Sequence, residues 1–122
     1  MIFENIEKLT QENDNFRKVI HTGNHSQLVL MSLRAHEDIG SEVHKDNDQI
    51  LFIVCGKGEA IVNDKVTAIA SHSVVYVPSG TKHNIKNTGA ELMKLYTVYA
   101  PAAHADKVIH KTKADAQKEE RY

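Results

Sequence analysis

Short runs of apolar, β-prone residues recur through the middle of the chain, separated by turn-forming glycine, asparagine and proline. These runs are Arg17–His21, Leu28–Leu33, Ile50–Cys55, Glu59–Val62, Val74–Val77, His83–Lys86 and Leu92–Tyr99. Short strands at this spacing are typical of an all-β sandwich or barrel. Because the breaks are tight turns, we expect neighbouring strands to form hairpins and the pairing to be antiparallel.

The two ends of the chain follow a different pattern. Three apolar side chains within residues 1–15 are spaced as on one face of a helix, which predicts a short helix there. After Pro101 the alternation ends, and Ala, Lys, Glu and Asp dominate. We therefore expect a single domain over residues 1–122, with a barrel core at 28–100 and a surface tail or short helix at 101–122.

Composition and charge narrow the range of partners. Fifteen Lys and Arg against sixteen Asp and Glu give a net charge of −1 without a basic block, so no nucleic-acid partner is expected. The longest apolar run, Ile50–Cys55, has six residues, which predicts no membrane-spanning helix. Glu4 and Glu7 stand where a secretory signal carries basic residues, and this favours a cytoplasmic location. The single cysteine, Cys55, is interpreted as a small packing residue.

The first candidate for chemistry lies between two glycines, in Gly40–Gly56. Glu42 and His44 are two residues apart, so on an extended strand their side chains point to the same face and can share one ligand. Gln49 begins an alternating face of the next run, where it would enter the interior at the open end of the barrel. The opposite face of that run is also apolar, which predicts a central strand covered by a second layer or by another subunit.

A second candidate group lies further along the chain, in Val74–Asn87. Pro78 and Gly80 predict a tight turn after a strand, and His83 then begins the returning strand. His83 can therefore face inward beside the first group. The order of these residues is PxGxxHxxxN.

Together, ExHxxxxQxxxxxxG and PxGxxHxxxN resemble the two sequence motifs of the cupin superfamily, and the resemblance extends from Leu28 to Pro101. It implies a small antiparallel jelly-roll β-barrel with short N- and C-terminal extensions. In cupins the first motif, G(x)5HxH(x)3–4E(x)6G, supplies two histidines and a glutamate, and the second supplies a histidine, which together hold a divalent metal. Carried over position by position, the resemblance implies a metal site at Glu42, His44, Gln49 and His83.

The chain departs from the cupin pattern at three positions. Glu42 replaces the first histidine, Gln49 replaces the glutamate, and His72 stands where the second motif begins with glycine. Glu42, His44 and His83 would still supply one carboxylate and two imidazoles, a mixed set that suits Zn, Mn, Fe, Co or Ni. Gln49 is either a further ligand through its amide oxygen or a neighbour that orients a ligand.

The remaining histidines are interpreted as surface residues. They flank turns, border loops or lie in the polar C-terminal stretch: His21, His25, His36, His72, His104 and His110. Lys45 and Lys82 are the candidates for contacting a phosphate group near the motifs, and a basic cluster is not expected.

Three functions remain open for such a protein. The resemblance to small cupins implies a metal-dependent, sugar or sugar-phosphate isomerase-like enzyme, whose metal acts as a Lewis acid on a small polar molecule. Two histidines and one carboxylate are also the ligands of non-haem Fe(II) oxygenases. The third possibility is a non-catalytic domain that binds or senses a small ligand. The run Ile50–Cys55, apolar on both faces, predicts a homodimer.

Overall fold

The computed structural model describes residues 2–119, which form two antiparallel β-sheets with a shared core. The strands are β1 (Arg17–Thr22), β2 (Gln27–Leu33), β3 (Glu42–Val43), β4 (Asp48–Cys55), β5 (Lys57–Val62), β6 (Lys65–Ala70), β7 (Val74–Val77), β8 (Lys82–Asn87), β9 (Met93–Ala100) and β10 (Ile109–His110). The helices are α1 (Ile6–Glu12) and α2 (Lys113–Glu119). The larger sheet has the order β10-β1-β2-β9-β4-β7 and the smaller β3-β8-β5-β6, which confirms the predicted all-β, antiparallel fold.

An apolar core lies between the two sheets. Side chains alternate along the central strands β2, β4 and β9, and the inward-facing ones are buried: Val29, Met31, Leu33, Leu51, Ile53, Met93 and Leu95. The smaller sheet adds Ala60, Ile69 and Ile85. Each large side chain buried in this way stabilises the fold by about 1.5–3 kcal/mol. The alternation visible in the sequence is therefore the pattern that builds this core.

The inward-facing positions become polar at one end of the core. Gln27 and Gln49 both lie opposite Tyr99 in the register of β2, β9 and β4. Each of these three residues is at most 2% exposed. Burying an amide costs free energy unless it is hydrogen-bonded, so this end of the barrel is built for polar contacts rather than for packing alone.

The seven predicted runs all fall within strands of the structure, apart from Leu92, which precedes β9. Two further strands, β6 and β10, were not predicted, and β3 was expected only as an extended segment carrying Glu42 and His44. β6 is an edge strand with a single buried residue, Ile69, so it carries no alternating pattern. β3 and β10 are two residues long, which is too short for a periodic signal.

Helix α1 covers part of the outer face of the larger sheet. The Asn5 side chain caps the helix by accepting a hydrogen bond from the Lys8 backbone N–H. The helix contacts β2, β4 and β9, so Leu30, which points outward from β2, is only 2% exposed. The helix predicted within residues 1–15 is present and supplies a second layer over β4. Within residues 2–119, neither helix has the length and apolar character that crossing a membrane requires.

The C-terminal stretch packs against the barrel. β10 pairs with β1, and α2 buries Ala116, which is 2% exposed. The Lys113 side chain binds Asp38, which lies beside β8, so α2 connects the two sheets. The short helix expected as one possibility within residues 101–122 is therefore present as α2. Residues 120–122 lie outside the described residues.

Gly58 in β5 is a position where a side chain does not fit. A Cβ atom there would lie 2.0 Å from the Lys86 carbonyl oxygen and 2.5 Å from Met93 Cε. We expect Gly58→Ala to lower the free energy of unfolding by about 2 kcal/mol or more, because the carbonyl cannot shift without disturbing β8. Urea denaturation measures the change.

Gly23→Ala is the matched control for this prediction. A Cβ atom at Gly23 would lie 3.5 Å from its nearest neighbour, the Ser26 carbonyl oxygen, which is ordinary contact. We expect a change within about 0.5 kcal/mol, as at most surface positions. Equal losses in the two variants would contradict the steric argument.

Candidate metal centre

The strand β3 and the turn before β8 bring the predicted ligands together. β3 pairs with β8 in a register that places Glu42 directly opposite His83. The Gly80 N–H, in the turn that precedes β8, donates to the His44 carbonyl oxygen at 2.8 Å. Gly80 has a φ of 81°, a conformation that glycine adopts readily. The turn of the second motif therefore fixes the backbone of the first.

The side chains of Glu42, His44 and His83 converge inside the barrel, and we refer to them as the ligand cluster. One potential ligand atom from each lies within 4.8 Å of the others. The His44 Nε2 is 2.8 Å from the Glu42 Oε2, and the centroids of the two imidazole rings are 5.3 Å apart. His83 is buried, whereas Glu42 and His44 are half-buried. The cluster therefore lies deep on one side and remains accessible on the other.

The fourth predicted residue, Gln49, contacts the ligand cluster at His83. Gln49 is 2% exposed, and its Oε1 lies 3.0 Å from His83 Nε2. The Gln49 Nε2 donates to Thr97 Oγ1 at 3.1 Å, and the Thr97 hydroxyl donates to the Ile50 carbonyl oxygen at 2.9 Å. This chain of hydrogen bonds orients the amide so that its oxygen faces His83.

A backbone carbonyl orients His83 from its other side. The His83 Nδ1 lies 3.0 Å from the Thr81 carbonyl oxygen, a contact that requires the proton on Nδ1. In a neutral imidazole Nε2 is then an acceptor, and it faces the acceptor oxygen of Gln49. Two facing acceptors repel each other unless a cation, either a proton or a metal ion, lies with them. This arrangement of donors and acceptors therefore suits a cation at the ligand cluster.

The negative charge of the cluster resides on Glu42. Burial alone would raise the pKa of Glu42, but the hydrogen bond with His44 and the electrostatic influence of His44, Arg17 and His83 hold it below its ordinary value. Glu42 is therefore ionised at neutral pH. One carboxylate oxygen and two imidazole nitrogens fit Zn, Mn, Fe, Co or Ni.

His104, expected at the surface, lies at the wall of this site. The Gln27 Oε1 accepts hydrogen bonds from the backbone N–H groups of Ala103 and His104 at 3.1 and 3.0 Å. The Gln27 Nε2 donates to the His104 carbonyl oxygen at 2.7 Å. Tyr99 makes edge-on ring contacts with both His104 and His44, with centroids 5.2 and 5.6 Å apart. The expectation was wrong because the segment after β9 folds back across the barrel opening.

The environment of His104 keeps its imidazole neutral. Burial lowers the pKa of His104 to about 4, with the positive charge of Arg17 acting in the same direction and Glu42 against it. The His104 Nε2 is buried, and within residues 2–119 it has no hydrogen-bond partner. The ring is therefore uncharged at neutral pH.

Arg17 and His110 form a second polar pair near His104. Arg17 is 1% exposed and His110 is 6% exposed, and the Arg17 Nη1 lies 3.3 Å from His110 Nδ1. The His110 Nε2 binds the Glu119 carboxylate. His110 was expected at the surface, which was wrong because β10 pairs with β1 at Arg17↔His110. The short β-prone run Val108–His110 is the sequence signal that could have revealed this strand.

The other predicted surface residues lie apart from the ligand cluster. The exposed histidines are His21, His25, His36 and His72, as predicted. Cys55, interpreted as a packing residue, is half-buried at the end of β4, where the register with β9 shifts.

The fold and the ligand cluster together define a cupin. The Cupin domain family matches residues 29–99, which include both motifs, and the chain belongs to this family. The resemblance seen in the sequence is thereby confirmed.

Relatives and solved structures support this assignment. The crystal structure of BH2720 from Bacillus halodurans is 36% identical, covers 96% of this chain and 93% of its own, and superposes with a TM-score of 0.94. The uncharacterized protein YrkC of Bacillus subtilis is 42% identical over 118 residues, which make up 92% of this chain and 63% of YrkC. The chain therefore spans less than two thirds of the length of this relative.

A more distant structure shares the fold. A putative sugar phosphate isomerase from Acidithiobacillus ferrooxidans is 18% identical, with a TM-score of 0.58 over 65% of this chain and 52% of its own. At this identity the likeness concerns the barrel, not the chemistry that it carries.

The lowered pKa of His104 makes the stability of the fold depend on pH. Above pH 6.5, the ordinary pKa, His104 is neutral in both the folded and the unfolded chain. Below that value the unfolded chain takes up a proton that the folded chain takes up only near pH 4. We expect the free energy of unfolding to fall as the pH decreases from about 6.5 to about 4, as measured by urea denaturation across this range.

His104→Phe should make this decrease shallower, because it removes the titrating group and keeps a ring beside Tyr99. His25→Phe is the control, since His25 is exposed in a turn and should leave the slope unchanged. Identical slopes for the wild-type protein and His104→Phe would show that His104 does not titrate as described.

Proposed function

We propose that the protein binds one divalent transition metal through Glu42, His44 and His83 and acts on a small polar molecule as a metal-dependent, isomerase-like enzyme. The observation that carries the proposal is the convergence of the three ligand atoms within 4.8 Å. A bound metal would supply Lewis acidity toward a carbonyl or diol of the substrate. A putative sugar phosphate isomerase shares the barrel, so this scaffold is compatible with such chemistry.

The facing acceptors of His83 and Gln49 support a metal at this position. A cation coordinated by His83 Nε2 removes the repulsion between this nitrogen and the Gln49 oxygen 3.0 Å away. Gln49 can then coordinate through Oε1 or orient His83 from beside the metal. Thr97 fixes the amide in the orientation that both roles require.

The contact between His44 and Glu42 indicates what must change at His44 when a metal binds. The His44 Nε2 lies 2.8 Å from the ionised Glu42 oxygen, so without a metal it carries the proton of this hydrogen bond. A nitrogen that coordinates a metal must be deprotonated. Coordination through Nε2 therefore requires this proton to leave Nε2, and a neutral imidazole can meet that requirement by carrying its proton on Nδ1 instead.

Metal content is the direct test of the proposal. We expect about one equivalent of metal in protein that is purified without an affinity tag and dialysed against Zn, Mn, Fe, Co or Ni, measured by elemental analysis. His83→Ala and Glu42→Ala should lower the affinity by about 10-fold or more, since each removes a ligand. His25→Ala, at an exposed turn, is the control. Metal content that the cluster variants leave unchanged would contradict the proposal and favour a non-catalytic ligand-binding or sensor domain.

The composition of the ligand cluster favours a second candidate, a non-haem Fe(II) oxygenase. Two imidazoles and one carboxylate are the ligands of such enzymes. Gln49 distinguishes the candidates, because coordination by its oxygen would take one of the positions that oxygen and substrate need. The oxygenase is therefore the less favoured of the two.

Oxygen uptake separates the two enzyme classes. After anaerobic loading with Fe(II), we expect the protein to consume oxygen no faster than its Glu42→Ala variant, because the proposed chemistry uses the metal only as a Lewis acid. An oxygen electrode measures the rate. Sustained uptake that disappears in Glu42→Ala would favour the oxygenase instead.

We also propose that the protein acts as a homodimer. On the outer face of the larger sheet, Val74 and Tyr76 are 59% and 56% exposed, and Tyr76 lies opposite Ile50 in the register of β4 and β7. A second copy packed on this face would remove its apolar surface from water.

A further inference from the structure

We propose that a pocket beside the ligand cluster, bounded by Arg17, His104 and His110, binds an oxyanion group of the substrate, either a carboxylate or a phosphate. We refer to it as the C-terminal pocket. The remainder of the substrate would then reach the ligand cluster. This assignment of substrate class rests on the proposed function, but the binding of an oxyanion can be tested in the absence of a metal.

The C-terminal pocket lies where α2 and the segment before β10 meet β1. Its volume is about 200 Å³. Small apolar residues of the segment 103–108 contribute one part of its lining, and Arg17, His104, His110 and Glu119 contribute the polar part. Pockets for drug-sized ligands measure roughly 300–1,000 Å³, so this one suits a single small polar group. Glu119 and part of the segment are exposed, which leaves a path from solvent.

Arg17 and His104 provide the donors that an oxyanion needs. The Arg17 guanidinium is buried and permanently charged, and its planar set of N–H donors matches the oxygens of a carboxylate or phosphate. The buried Nε2 of His104 has no partner within residues 2–119, and a neutral imidazole can donate one hydrogen bond from this nitrogen. An oxyanion in the pocket would accept hydrogen bonds from both side chains.

The C-terminal pocket and the ligand cluster are close enough to bind the same small molecule. The Tyr99 ring touches His104 on one side and His44 on the other. His104 of the pocket and His44 of the ligand cluster therefore contact the same ring.

The effect of substituting Glu119 distinguishes this proposal from the interpretation that the polar residues of the pocket have only a structural role. In the structural interpretation, Arg17, His110 and Glu119 only hold α2 against the barrel. In our proposal, the Glu119 carboxylate also repels an incoming anion from the edge of the pocket. Glu119→Gln should therefore strengthen anion binding, whereas the structural interpretation predicts only a weaker attachment of α2.

The experiment titrates metal-free, chelator-treated protein with inorganic phosphate and, separately, with acetate. Binding is measured by calorimetry and by the NMR signals of the His104 side chain, which are assigned by their absence in His104→Phe. We expect saturable shifts of these signals, phosphate affinity about 10-fold lower in His104→Phe, and affinity a few-fold higher in Glu119→Gln. His25→Phe, in an exposed turn, should bind like the wild-type protein.

Each outcome supports or overturns the proposal. Saturation with phosphate alone assigns the pocket to a phosphate group, and saturation with acetate as well extends it to carboxylates. Absence of a saturable His104 shift with both anions would overturn the proposal, as would unchanged phosphate affinity in folded His104→Phe. Glu42→Ala should still bind phosphate after losing metal affinity, so a failure of the proposed metal chemistry would be visible separately.

Discussion

The pairing of β3 with β8 is the constraint on which the ligand cluster depends. Its register places Glu42 opposite His83, and a slip of one residue would turn Glu42 outward and bring the exposed Val43 into the barrel. A strand of two residues has few hydrogen bonds of its own, and the bond from the Gly80 N–H to the His44 carbonyl holds it in place. The motif that supplies one ligand therefore also positions the other two.

The polar end of the barrel is stable because its buried amides have partners. Gln49 donates to Thr97, and Gln27 binds the returning backbone at Ala103 and His104 through three hydrogen bonds. Each such group, left unsatisfied, would cost about 1–3 kcal/mol. Apolar residues at these positions would not need hydrogen-bond partners. The polar side chains need them, and in return they give this end of the barrel a fixed arrangement of donors and acceptors. Proteins commonly make this exchange at functional sites.

The sequence could predict the barrel and the ligand cluster, but not the pocket beside it. Alternation of apolar residues revealed the central strands, and the motif spacing predicted that Glu42, His44 and His83 would meet. Arg17 and His104 are far apart in the chain, and they meet only because β10 pairs with β1 and Gln27 holds the segment after β9. The composition of the segment after β9 predicted only that it is polar. The strand β10 has two residues, which is too short to produce a periodic pattern in the sequence.

The residues around the C-terminal pocket lie outside the stretch that defines the family. The Cupin domain matches residues 29–99, whereas Arg17 precedes this range and His104, His110 and α2 follow it. The proposed metal site would thus lie within the family domain. The groups proposed to bind the oxyanion of the substrate would lie in the segments before and after it. Substitutions in the two terminal segments could therefore change the selectivity of the pocket while the proposed metal site of the barrel stays the same.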